Sequence, residues 1–125
     1  MAYNGMMLGA LFAVFLQHGL APEFGGWVLI HGVTELFAVT LAGAAGFRIG
    51  WALAFPGERS RLEALTQAGR EAAIVMAGVI VMLGCAGLLE GFGRQLITST
   101  VARYAVALTT AFLWGVFFYR PWAPT

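Results

Sequence analysis

Residues 72–89 read Ala-Ala-Ile-Val-Met-Ala-Gly-Val-Ile-Val-Met-Leu-Gly-Cys-Ala-Gly-Leu-Leu, an apolar run closed by Glu71 on one side and Glu90 on the other. Coiled as an α-helix, a stretch of this length covers about 27 Å, close to the ~30 Å hydrocarbon core of a bilayer. Backbone amides in lipid must bond within their own segment, so a helix is the conformation this run can adopt there. Immediately before it lies the chain's one properly polar segment, Gly57–Glu71, reading GERSRLEALTQAGRE. Within that segment Ser60-Arg61-Leu62-Glu63 has the form of a capping box, with Ser60 as N-cap and Glu63 reaching back. Leu62, Leu65 and Gly69 then share one helical face. The spacing predicts a helix that starts near Arg61, outside the membrane, and runs unbroken to Glu90. Its length of about 43 Å exceeds the lipid core, so its first turns project into solvent as a helical extension or a docking surface.

Outward from that helix, three further stretches are predicted to span, at about residues 3–20, 27–55 and 103–119, with the central helix taken as 61–90. Ala21–Gly26, holding Pro22 and two glycines, reads as a tight re-entry loop, and Pro56-Gly57 as the stop after the second span. The last span is short and ends at Arg120-Pro121. The expected fold is therefore all-α: a single polytopic bundle of about four spans, with the second and third forming a long antiparallel hairpin.

Composition excludes the soluble alternatives. The 125 residues are 60% hydrophobic and only 10% charged, against about 25% charge in a typical soluble domain. Mean hydropathy is +0.82. All basic residues are arginine, the formal net charge is +1, and no basic run exists for nucleic acid to bind. The one cysteine, Cys85, lies in the apolar run. It cannot close an intrachain disulfide or form a cysteine-only metal site, so inert packing is its expected role. Residues 6–16 are apolar but follow no Lys or Arg, and no small-residue cleavage signal succeeds them, so they are read as part of the fold rather than a signal peptide.

Arginine placement gives an orientation. Four spans put Arg48, Arg59, Arg61, Arg70 and Arg120 on one side and Arg94 and Arg103 on the other. Positive charge stays inside, so the 56–71 hairpin and both termini are expected in the cytoplasm. Trp27, Trp51, Trp114, Trp122 and Tyr119 fall near span ends, as interfacial anchors do. The pairs Gly5/Gly9, Gly46/Gly50 and Gly87/Gly91, with Gly43 beside them, have the spacing that lets membrane helices approach closely, within the bundle or in a homodimer.

Ionisable groups are costly in lipid, so His31, Glu35 and Glu90 stand out. His31 and Glu35 are four apart on one helix face. His31 to Arg48 covers about 26 Å of helix, so the two lie near opposite edges of the core. Antiparallel pairing brings Glu90 to the depth of His31 and Glu35, and Gln17 and His18 lie at a similar level. Three roles fit this cluster of His31, Glu35, Glu90 and His18. It is polar glue between helices, with no cofactor expected and no catalytic residue. Alternatively, Glu35 and Glu90 titrate in a small transporter or channel subunit. In the third, His31, Glu35 and Glu90 bind zinc or another divalent metal, which with an open position would make an intramembrane hydrolase.

Four stretches carry a family resemblance across essentially the whole chain. Tyr3-Asn4-Gly5-Met6-Met7-Leu8-Gly9 resembles the Y-N-G-x-x-x-G opening of the stage II sporulation protein M family, and His31-Gly32-Val33-Thr34-Glu35-Leu36 its H-G-x-x-E-L motif. Leu41–Gly50 is similar to its A-G-A-x-G-x-R-x-G stretch and Ala86–Phe92 to its A-G-L-I-E-G-F stretch, in the family's order. The resemblance implies a multi-pass inner-membrane protein of bacteria or archaea. In spore formers the family works in engulfment, within a complex that recruits peptidoglycan-degrading proteins, and no catalytic activity of its own is established. A non-enzymatic scaffold or recruiter of cell-envelope membrane proteins is thus the leading expectation, with Arg59, Arg61 and Glu63 as its docking hairpin. Relatives usually carry further membrane sequence before the first motif, so the chain is expected to be a short version or a piece of a longer protein.

Overall fold

The computed structural model describes residues 2–120, and all regular structure among them is helical. Trp122 and Pro121 lie outside the described residues. Helix α1 covers Ala2–Gln17, α2 Ala21–Ala54 and α3 Arg61–Leu88; a π-helical turn, Leu89–Gly93, continues α3. A short α4, Arg94–Leu96, and α5, Thr100–Tyr119, complete the chain. Three of these are long and apolar enough to cross a bilayer: α2, α3 with its π-turn, and α5, at mean hydropathies of 1.6, 2.5 and 1.5 over their most apolar windows. α1, with 16 residues, is about 24 Å long and falls short of the ~30 Å core.

The segment read as a re-entry loop is helical. α2 begins at Ala21, with Pro22 in its first turn, where the missing N–H is one that no intrahelical carbonyl would accept. The reversal between α1 and α2 is confined to His18–Leu20. There Leu20 N–H bonds Phe15 O at 2.8 Å and Gly19 N–H bonds Leu16 O at 3.1 Å, the Schellman pattern. It requires a left-handed residue after the helix, and Gly19 supplies it at φ +72°.

Two compact units divide the chain: one comprises residues up to Val33 with those from Leu88 onward, the other Thr34–Gly87. In the Thr34–Gly87 unit the ends of α2 and α3 form the expected hairpin. Ala38 and Ala45 of α2 are buried, as are Ala64, Ala68, Ala72, Val79, Met82 and Ala86 of α3. Spacings of three, four and seven place these α3 residues on one stripe. Their small side chains let the two backbones approach, which is how membrane helices gain packing contact without a hydrophobic drive. The opposite faces carry Ile74, Ile80 and Val81, each more than 60% exposed. Such faces are stable only against lipid or another apolar surface.

At the polar end of this unit the capping box forms as spaced. Glu63 accepts from the Ser60 backbone N–H at 3.0 Å and from its hydroxyl at 2.9 Å, and Ser60 Oγ accepts from Glu63 N–H at 3.2 Å. These bonds hold the Glu63 carboxyl below the usual carboxylate range, the backbone N–H contributing most. Glu63 lies outside the lipid-spanning residues 72–89, so water surrounds it.

In the other unit, α2 packs on α5 and the π-turn. Gly25 faces the Tyr104 hydroxyl, and a Cβ at Gly26 would stand 3.4 Å from both Arg103 Cβ and the Tyr104 ring. Tyr104 donates to Pro22 O at 3.1 Å, tying α5 to the first turn of α2. Arg103 donates from Nε to Ile97 O at 2.8 Å, and Ser99 caps α5 through Ala102 N–H. Close approach therefore occurs at Gly25 and Gly26, which sequence reading assigned to a loop. A Cβ at Gly5, Gly9, Gly43, Gly46, Gly50, Gly87 or Gly91 would meet no described atom within 4 Å, so within the chain these glycines face open space.

Candidate functional site

An aromatic file leads along one unit to the buried histidine. Phe15 stacks on Phe24 at 4.5 Å, Phe24 stands 6.1 Å from Trp27, and Trp27 meets the His31 ring edge-on at 6.3 Å and 87°. The spacings from Phe24 to Trp27 to His31 are three and four residues, so helix geometry alone lines them up. Ile30, fully buried, and Phe24 close the surrounding packing. His31 is 9% exposed, and its Nδ1 has no hydrogen-bond partner. A buried ring nitrogen left unbonded costs about 1–3 kcal/mol, so such an atom calls for an explanation.

Glu90 approaches from the π-turn. Gly93, at the end of that turn, stands close to Ile30: a Cβ on it would lie 3.7 Å from Ile30 Cδ1. That contact seats the turn beside the residue preceding His31. A π-turn widens the helix by one residue, redirecting the side chains it carries, and such turns occur often at functional sites. Here it presents the Glu90 carboxylate with an oxygen within 4.8 Å of a ring nitrogen of His31. Glu35 lies one turn further along α2, in the Thr34–Gly87 unit, and is half-buried. His31 is buried and Glu90 exposed.

Of the sequence-derived candidates, His18 is placed elsewhere. It is exposed in the α1–α2 turn, with Nδ1 2.8 Å from Val14 O of its own helix. The aqueous-end residues form a separate chain of contacts. Arg48 donates to Glu71 Oε2 from Nε at 3.1 Å and from a terminal nitrogen at 2.7 Å. Gln67 donates to Glu71 Oε1 at 3.2 Å, and Arg59 donates to Gln67. Arg48 and Glu71 are 65% and 43% exposed, so solvent screens their pairing and it adds little to stability. Its consequence is positional: Arg59, Gln67, Glu71 and Arg48 hold the polar ends of α2 and α3 in register. Arg61 stays exposed.

Sequence reading missed the π-turn, whose only sign was the pair Gly91 and Gly93 after an apolar helix. It also missed the contact of Tyr104 with the start of α2, for which no local signal exists.

In comparison with known proteins, the family model for Stage II sporulation protein M matches residues 1–93. The matched region ends with the π-turn and contains all of the stretches that carried the resemblance. No curated protein and no solved structure matches the chain.

Proposed function

The chain belongs to the stage II sporulation protein M family, and from that premise we propose that it is a non-enzymatic membrane scaffold that holds or recruits other cell-envelope proteins, those remodelling peptidoglycan among them. The observation that carries this reading is the polar end of the α2–α3 hairpin. Residues 61–71 extend α3 beyond its lipid-spanning part, and the capping box and the Arg48–Glu71 pair brace it. A braced, charged projection suits docking, because little conformational entropy is lost when a partner binds it. In this reading Arg59, Arg61 and Glu63 are the docking residues, and the arginines around the hairpin support a cytoplasmic position for it. The open faces at Gly43, Gly46 and Gly50 suit a second copy or another membrane helix.

Reversing the charges of Arg59, Arg61 and Glu63 together is expected to abolish co-purification of envelope partners while the protein stays in the membrane. Undiminished co-purification would rule the hairpin out as the docking surface.

A second reading rests on His31, Glu35 and Glu90 being carried by helices apolar enough to span: a polar path through the membrane for protons or small ions. It predicts pH-dependent flux in liposomes that Glu35→Gln removes. Flux indifferent to that substitution would exclude Glu35 from any path.

A further inference from the structure

We propose that the cavity at the polar end of the α2–α3 hairpin binds the phosphate of one anionic phospholipid. The inference does not depend on the scaffold reading. The cavity lies wholly within the Thr34–Gly87 unit and has a volume of about 180 Å³. That is the room of roughly six water molecules at ~30 Å³ each, enough for a phosphate group. Arg48, Trp51, Phe55, Arg59, Gln67 and Glu71 line it, and the small side chains of the buried Ala64 and Ala68 give it depth. Two arginines and one glutamate thus share the space.

Hydrogen bonding decides which charge is available to a ligand. Arg48 donates from Nε and from one terminal nitrogen to Glu71 Oε2, and the other Glu71 oxygen accepts from Gln67. Arg59 donates to the neutral amide oxygen of Gln67 and forms no ion pair among the described residues. Glu63 is the other carboxylate that feels Arg59, but it bonds Ser60 and does not line the cavity. The cavity therefore carries one positive charge in excess, with N–H groups of both arginines left to donate. A phosphodiester carries one negative charge, and the planar guanidinium fork matches its paired oxygens. The walls point to a lipid rather than a free anion. Phe47, Trp51 and Phe55 form a ladder along α2, with ring centroids 5.9 and 4.6 Å apart and each ring residue more than half exposed. Exposed aromatics beside arginine mark the headgroup level of a bilayer. Glu71 immediately precedes the apolar run 72–89, which sets the cavity at that same level. Basic pockets between membrane helices at this depth bind anionic headgroups.

The test uses the full chain, delipidated in a non-ionic detergent, with bound lipid counted by native mass spectrometry. One phosphatidylglycerol per chain is expected, held more tightly than phosphatidylcholine of the same acyl chains, whose choline cancels the phosphate charge. Equal binding of the two lipids by the unmutated chain would overturn the proposal whatever the variants do. Arg59→Gln is expected to weaken phosphatidylglycerol binding about tenfold, the effect of losing one charged hydrogen bond. Arg70→Gln removes the same charge from an exposed position outside the cavity and is expected to leave binding unchanged. An equal loss in both variants would reduce the effect to general surface charge and sink the site. Glu71→Gln releases Arg48 and is expected to tighten binding; a folded Glu71→Gln that binds no tighter would count against the site in the same way. Excess inorganic phosphate is expected to leave the lipid bound, and displacement by phosphate alone would assign the cavity to a free anion instead.

Discussion

Gly19 and Ser60 show how single residues set this fold's boundaries. Gly19 ends α1 in a left-handed conformation, φ +72°, that a side chain at that position resists. Gly19→Ala is expected to destabilise the protein by about 1 kcal/mol. Gly9→Ala, at an open helical position, is expected to be neutral or mildly stabilising. Thermal melts of both in the same detergent make the comparison. Ser60 starts α3, and Ser60→Ala is expected to cost about 1 kcal/mol of helix stability. Part of that capping depends on ionised Glu63, whose carboxyl is held below its usual range by Ser60. A group with a depressed folded pKa stabilises fully above its unfolded value and loses that contribution as pH falls through the folded one. The gap in melting temperature between parent and Ser60→Ala is therefore expected to narrow on acidification below the carboxylate range. A gap constant with pH would mean that Glu63 takes no part in the cap.

At the scale of elements, the contact between the start of α2 and α5 depends on glycine. Gly25 lies against the Tyr104 hydroxyl, which also bonds Pro22 O. Gly25→Ala is expected to push the tyrosine aside and break that bond, at a cost of about 1 kcal/mol. Tyr104→Phe removes the oxygen that the new methyl meets, so Gly25→Ala should cost less in that background. Additive effects in the double-mutant cycle would show that the two residues do not touch. The same contact explains a misreading. Pro22, Gly25 and Gly26 carry every local mark of a loop, yet the segment is the first turn and a half of a 34-residue helix. In a membrane helix glycine serves close approach as often as it breaks structure, and proline costs nothing in the first turn.

For the whole molecule, the decisive property is how much apolar surface the chain leaves uncovered. Phe47, Leu108 and Phe112 are each about 70% exposed, and they belong to helices long enough to span. Lipid is the solvent that stabilises such surfaces. Cys85, the only cysteine, lies within the apolar run of α3 and is exposed, so in a bilayer-spanning α3 a membrane-impermeant maleimide is expected to leave it unlabelled in intact membranes. In a Cys85→Ala background, Glu58→Cys on the hairpin loop is expected to react only once the cytoplasmic face is opened. Labelling of intact cells at that position would reverse the orientation drawn from arginine placement.

Membrane class, helical architecture, the α2–α3 hairpin and the capping box at Ser60 were legible in the sequence, because each follows from local chemistry: unbroken apolar length, a stop at Pro56-Gly57, and donors and acceptors three residues apart. The tertiary structure alone decided that α2 starts at Ala21, that α1 is a short helix, that close approach falls at Gly25 and Gly26, and that a π-turn carries Glu90 beside a buried His31 whose Nδ1 has no hydrogen-bond partner. The reason is physical. Helix ends, helix distortions and the burial of one ring nitrogen are set by contacts between segments such as 22 and 104 or 30 and 93, and no local pattern encodes which distant residue a side chain will meet.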